Sequence, residues 1–218
     1  MERFGRVIPF YGATDRDTFE VERRTMDRDG IVLAALDDLL PGGLVLDTGA
    51  GDGFTAERLS RPDRRVVPLE PAAGMIDRRR ILPWVRGAAQ ALPFRDASFD
   101  AAFATWAYFF PDIGYGDPGL AEWSRVVRSG GSLIVADNAG DDAFSALDDE
   151  PVETDRTRAW WTARGFREEI VETTFRFDSL EEAQRLLGLY FGDRGRAWDS
   201  PTIQYRVSLF IGVASRGS

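Results

Sequence analysis

The segment Val45-Leu46-Asp47-Thr48-Gly49-Ala50-Gly51-Asp52-Gly53 constrains this chain more than any other. An apolar run ends in an acid, glycines follow at alternate positions, and a helix-forming stretch begins at Phe54. Glycines at a strand-to-helix turn let backbone approach a ligand closely and permit positive φ. The helix start adds unpaired N–H groups and the positive end of a dipole. Turns of this kind belong to sheets whose strands alternate with helices.

The rest of the chain keeps that alternation. Residues 17–40 read as a helix broken near Gly30, with Leu36, Leu39 and Leu40 on one face, and Pro41-Gly42-Gly43 ends it. Strands are expected at Leu44 to Thr48, Val66 to Glu70, Trp84 to Arg86, Phe99 to Thr105 and Ser132 to Asp137. Helices are expected at Gly53 to Ser60, Ala72 to Arg80 and Leu120 to Arg128, the last stopping at Ser129-Gly130-Gly131. Beyond an acidic loop at 139–155 come a helix at Thr157 to Arg164 and an alternating edge strand at Ile170 to Phe177. A helix capped by Ser179 with Glu182 and a last strand at Gln204 to Ala214 complete the chain. The fold class is therefore α/β: a Rossmann-like doubly wound sheet of about seven strands, mostly parallel with an antiparallel last strand, helices on both faces. One domain is expected over 1–218, with an N-terminal helical lid region (1–40), a cofactor-binding core (41–138) and a C-terminal substrate-side part (139–218).

Composition narrows the chemistry. The 218 residues include no histidine and no cysteine, and all 27 cationic residues are arginine. Thiolate nucleophiles, cysteine zinc sites, histidine bases, Schiff-base lysines and P-loop lysines are excluded, so no metal is expected. A net charge of −9 disfavours nucleic-acid partners. No apolar run reaches membrane-spanning length, and MERFGRVIPF lacks the apolar stretch of a signal peptide, which predicts a cytoplasmic protein without membrane partners.

Two ligand classes suit the glycine turn. A dinucleotide fingerprint requires a third glycine at position 54, where Phe54 stands, and the Asp47 carboxylate would repel a pyrophosphate. An acid there suits a cationic group, such as an α-amino group or a sulfonium. Glu70, at the end of the second strand and 21 residues after Gly49, is placed to accept hydrogen bonds from ribose hydroxyls. A ligand with a ribose and a positive centre is specified, and S-adenosylmethionine fits.

Over residues 40–138 the chain resembles class I S-adenosylmethionine-dependent methyltransferases. LVLDTGAGDG resembles their glycine-rich first motif and VVPLEPAAGMI their second-strand motif. GAAQALPFRDASFD resembles the stretch between the third and fourth strands, and EWSRVVRSGGSLIVAD the helix and fifth strand. The resemblance implies a cofactor site of Asp47, Gly49, Ala50, Gly51, Gly53, Glu70, Pro71, Met75 under the adenine, Ala88, Ala89, Gln90, Thr105 and Trp106, with Tyr11 closing over it as a lid. S-adenosylhomocysteine would be the product. The family's usual adenine-binding acid near position 88 is missing, because Ala88 and Ala89 stand there. One lost hydrogen bond of that kind costs about 1.5–3 kcal/mol, so weaker affinity or compensation by Gln90 is expected.

Methyl transfer from a sulfonium releases a neutral leaving group, so alignment alone supplies much of the rate and no histidine is needed. The acceptor belongs beyond the strand ends. Tyr108, Phe109 and Tyr115 lie there in sequence, with Trp160 and Tyr190 as candidates for a cap; aromatic walls suit a small, flat or apolar acceptor. Asp137 and Asp112 are the candidate bases by position. The expected function is methylation of a small molecule at an O, N or C atom by a monomer or homodimer. The alternatives are a cofactor-binding protein on this fold that does not methylate, or a methyltransferase acting on RNA or protein.

Overall fold

The computed structural model describes residues 15–107, 116–148 and 154–215. Two helices lead in: α1 (Arg16–Met26) and α2 (Ile31–Leu39). Asp15 caps α1 by accepting from the Thr18 amide, and Asp27 caps α2 by accepting from the amides of Val32 and Leu33. The break between them is Gly30, at φ 71°. The core then runs β1 (Gly43–Thr48), α3 (Phe54–Leu59), β2 (Arg64–Leu69), β3 (Phe99–Thr105), α4 (Gly116–Val126) and β4 (Val127–Asn138). A 3-10 turn (Ser145–Leu147) precedes α5 (Thr154–Thr162), β5 (Arg167–Arg176), α6 (Leu180–Arg196) and β6 (Thr202–Val213).

The strands form one sheet in the order β2-β1-β3-β4-β6-β5. β1, β2, β3 and β4 pair in parallel, and β6 runs antiparallel between β4 and β5. β5 is the expected edge strand. Successive residues of β1 serve opposite faces: Val45 joins a core with α2, α3 and α6, and Leu46 joins one containing Trp123 of α4 and Trp161 of α5. Burial on both faces explains why the central strands read as unbroken apolar runs.

Three local expectations differ from what forms. The strand at Trp84 to Arg86 reduces to one parallel bridge, Leu69 to Val85, so six strands stand where about seven were expected. Val85 still takes the seventh place: its amide donates to Pro68 O and its carbonyl accepts from Glu70 N, each at 3.0 Å. Pro83 and Gly87 on either side limit it to that bridge. The helix at Ala72 to Arg80 is instead a run of turns, because side chains take its amides: Glu70 accepts from Ala72 N at 2.7 Å and Asp77 from Arg79 N at 3.0 Å. Gly130-Gly131 does not separate helix from strand. α4 ends at Val126, β4 begins at once, and the pairs Phe99–Val127 and Ala101–Ser132 show the intervening residues bulged from the ladder.

Among the described residues no helix is long and apolar enough to cross a membrane, and no cluster of three or more acidic or other ligating residues could hold a metal.

Candidate cofactor and acceptor site

Strand order reverses between β1 and β3, and the carboxyl ends of both strands open on a crevice at that point, where ligands bind in sheets of this kind. The crevice is a cavity of about 520 Å³. Gly49, Ala50, Gly51, Glu70 and Met75 form one wall, Thr105 and Trp106 the next, and α1, α2 and α3 the remainder.

The glycine turn is wound against β2. The amides of Gly49 and Ala50 both donate to Leu69 O, at 2.9 and 3.0 Å, and Gly53 N donates to Ala50 O at 2.8 Å. Gly51 N donates to Glu70 Oε2 at 3.0 Å, and Asp52 Oδ1 accepts from Phe54 N at 3.0 Å. These amides are therefore spent within the protein and offer no nest for a phosphate, which removes the dinucleotide reading. Glycine is required by conformation at Gly49, Gly51 and Gly53, at φ 78°, 56° and 80°. At Gly53 a Cβ would also stand 2.7 Å from the Trp84 ring.

Three carboxylates surround the turn, and each is held differently. Asp52 is ion-paired to Arg23 at 2.9 Å, with Arg80 at 3.5 Å. Glu70 is 2% exposed and accepts from the amides of Gly51 and Ala72, one on each oxygen. Burial drives its pKa up to about 7 against the pull of those bonds. A carboxylate has about four lone-pair sites, so acceptor capacity remains towards the cavity. Asp47 is 1% exposed, and neither of its oxygens has a hydrogen-bond partner among the described residues. Burial first, then the charges of Glu70 and Asp52, raise its pKa well above the ordinary carboxylate range. A buried acid without a partner is costly, and a cationic ligand group is what would relieve it.

The Asp47 orphan and the acceptor capacity of Glu70 fit an adenosyl ligand with a positive centre. Space beside Gly51 fits it as well: a Cβ there would already touch Met75 Cε and Phe19 Cζ, each at 3.6 Å, so a larger side chain would fill the crevice. Of the sequence candidates, Gly49, Ala50, Gly51, Glu70, Met75, Thr105 and Trp106 line the cavity together. Asp47, in β1, and Gly53, at the start of α3, are outside that lining. Pro71 follows Glu70, and Ala88, Ala89 and Gln90 form a tight turn (the Ala91 amide donates to Ala88 O at 3.1 Å) outside the lining.

The acceptor-side candidates divide differently. Tyr108, Phe109, Asp112 and Tyr115 lie outside the described residues, as does Tyr11, the expected lid over the cofactor. Trp160 packs edge-on against Trp161 with Arg164 stacked 3.8 Å from its ring, and Tyr190 packs against Phe144 and Phe191; neither lines the cavity. Asp137 is the penultimate residue of β4, and burial raises its pKa to about 6, but it too is absent from the lining, and its side chain accepts from the adjoining Asn138 amide at 2.8 Å. The walls that sequence reasoning missed come from the lead-in helices: Phe19 and Met26 of α1, and Val32, Leu33 and Leu36 of α2. Their apolar spacing was visible, but read alone it signals only burial.

The comparisons agree with this geometry. Residues 46–135 match the methyltransferase domain model, and the fold is that of a methyltransferase from Thermotoga maritima (TM-score 0.61, 20% identity, covering 94% of this chain and 100% of that one). The YcgJ protein of Bacillus subtilis shares it too (TM-score 0.57, 19% identity, 85% and 98% covered). Residues 46–135 thus resemble a methyltransferase domain, and the fold is one that solved methyltransferases share. Among sequence relatives, a protein of Renibacterium salmoninarum named demethylmenaquinone methyltransferase is 37% identical over 138 residues, 62% of this chain and 56% of that protein. One of the same name from Thermobifida fusca is 32% identical over 145 residues, 59% and 57% respectively. The match spans little more than half of either relative.

Proposed function

We propose that this protein binds S-adenosylmethionine in the crevice between β1 and β3 and transfers its methyl group to a small apolar acceptor. The observation that carries the reading is Asp47, a buried carboxylate with no hydrogen-bond partner among the described residues, beside a Glu70 carboxylate fixed by two backbone amides. When bound, the cofactor supplies a methyl group made electrophilic by a neighbouring positive sulfur.

The chain's own residues position and shield. Glu70 offers its remaining lone pairs to ribose hydroxyls, and Asp47 offers a negative charge to the cationic part of the ligand. Phe19, Met26, Leu33, Leu36 and Trp106 present an apolar surface that excludes water and favours a flat, apolar acceptor. Holding acceptor and methyl in line at contact distance is worth up to about 7–11 kcal/mol of barrier. The acceptor named in the relatives, demethylmenaquinone, suits such walls and is the first acceptor to test.

The experiment pairs calorimetry of S-adenosylmethionine binding with a mass-spectrometric assay for methylated demethylmenaquinone and S-adenosylhomocysteine. Micromolar-range binding, lost in Gly51→Arg, and product formation are expected. Tight NADH binding without any S-adenosyl ligand binding would overturn the cofactor assignment. Binding without methylation of demethylmenaquinone would overturn the acceptor alone.

A further inference from the structure

Trp106 follows directly on β3 and forms part of the cavity wall, yet its φ is 47°, a conformation that bulky L side chains rarely adopt. Such a conformation persists only where the surroundings over-determine it. Here they do. The Trp106 main-chain amide donates to Ala136 O of β4 at 2.8 Å. Its indole N–H donates to the Tyr205 hydroxyl at 2.6 Å, and that hydroxyl donates to Asn138 Oδ1. The two rings stack, with centroids 6.5 Å apart and planes 27° from parallel.

The direction of this chain is fixed by its chemistry. An indole N–H can only donate, so the phenol oxygen accepts from it and must turn its own proton to Asn138. Burial pushes the Tyr205 pKa well above its ordinary range, so the proton is always there to give. Tyr205 itself is fully buried on β6, its ring wedged against Phe144 at 5.2 Å and Phe175 at 5.0 Å. It therefore reaches from the antiparallel half of the sheet, across the end of β4, to the ligand crevice. Packing alone would be served by phenylalanine; the hydroxyl is what engages Trp106.

We propose that Tyr205 is a positioning residue for the ligand site, acting through Trp106 by holding its indole as a rigid wall against the bound adenosyl ligand. This rests on the reading of the crevice as the S-adenosylmethionine site. Neither Tyr205 nor Asn138 is needed for the turn that holds Asp47 and Glu70, so disturbing them loosens one wall and leaves the opposite one intact.

The test labels the protein with 5-fluorotryptophan and follows its ¹⁹F spectrum, Trp106→Phe assigning the Trp106 line among the six tryptophans. In ligand-free Tyr205→Phe the Trp106 line is expected to move and broaden, with the thermal midpoint near that of wild type. Asn138→Ala, which removes the partner at the other end and leaves the ring alone, should move it too. S-adenosylhomocysteine should shift the wild-type line, and its Kd should weaken by up to about fivefold in Tyr205→Phe, because binding must then order a wall that wild type holds in advance, a cost bounded by the one hydrogen bond lost. A Trp106 line unmoved in both variants, or an unchanged Kd in Tyr205→Phe, overturns the proposal. Absence of S-adenosylhomocysteine binding to wild type would instead defeat the cofactor reading, with the ligand-free spectra still deciding whether Tyr205 positions Trp106.

Discussion

Replacing Glu70 by glutamine should change how stability depends on pH, in a direction that the geometry dictates. Glu70 is almost fully buried, and its pKa rises from the ordinary 4.5 to about 7 in the folded chain. A carboxyl whose folded pKa is raised keeps its proton longer in the folded state than in the unfolded one. Stability from this group is therefore fully present below the unfolded value, falls as pH climbs from 4.5 towards about 7, and is level above. At about 1.4 kcal/mol per pKa unit the whole loss is roughly 3 kcal/mol, most of it between about pH 5 and pH 8. Glutamine does not titrate. Its single carbonyl oxygen also cannot serve both amides as the carboxylate does, and that lost bond costs about 1 kcal/mol at every pH. Ligand-free Glu70→Gln should thus be the less stable protein at about pH 5 and lose far less than wild type on going to about pH 8. Asp47 titrates in both proteins, and removing the neighbouring charge can only flatten the variant further. Urea denaturation of ligand-free protein at the two pH values measures the slopes. Equal slopes would show that Glu70 is not ionising in a buried site and would remove the electrostatic argument for the crevice.

Three further outcomes follow from the same structure. Asp47→Asn should weaken S-adenosylmethionine binding by about tenfold or more in calorimetry, while ligand-free stability at about pH 8 should not fall in parallel, because the variant no longer buries an ionisable acid without a partner. Gly53→Ala should lower stability by about 2–4 kcal/mol, since positive φ is joined by a contact with Trp84 at 2.7 Å; Gly30→Ala, at φ +71° with open space around it, should cost only about 1 kcal/mol, and paired thermal melts compare them. Arg64→Met should cost about 3 kcal/mol or more in denaturant unfolding, because the fully buried guanidinium serves the carbonyls of Pro41, Asp37 and Leu59 as well as the Asp37 carboxylate.

Legibility in the sequence followed the range of the interaction concerned. The glycine turn, β1, β3 and the capped start of α6 are written locally: Ser179 Oγ accepts from Glu182 N at 3.1 Å, though Glu182 turns back to the Asp178 amide instead of the cap residue's own. The edge position of β5 was visible in its alternation, and the antiparallel β6 in the strand–helix–strand tail. What failed depended on partners remote in sequence or on side chains competing with the backbone. Val85 has strand chemistry, but Pro83 and Gly87 on either side leave one bridge. Ala72 to Arg80 has helix composition, but Glu70 and Asp77 take its amides first. The cavity walls of α1 and α2 show the limit most clearly. Leu33 and Leu36 have the spacing of core residues, and only the closure of the sheet decides that their helix turns part of its apolar side to a crevice.

The chain's lack of histidine, cysteine and lysine is consistent with how this site is built. Nothing in the crevice among the described residues is arranged as a nucleophile beside a base; what it holds is stored electrostatic cost. Asp47 and Glu70 are kept from water by the same packing that makes β1 and β2 stable, a cost that a cationic adenosyl ligand would relieve. Affinity should therefore grow with pH as Glu70 ionises, and binding should release protons wherever the free protein still holds them, through the window below about 7 set by Glu70. Calorimetry of S-adenosylhomocysteine at about pH 6 in two buffers of different ionisation enthalpy reads that release directly. Heats that do not depend on the buffer would mean that binding changes the protonation of neither acid, and the predicted link between Glu70 ionisation and affinity would fail.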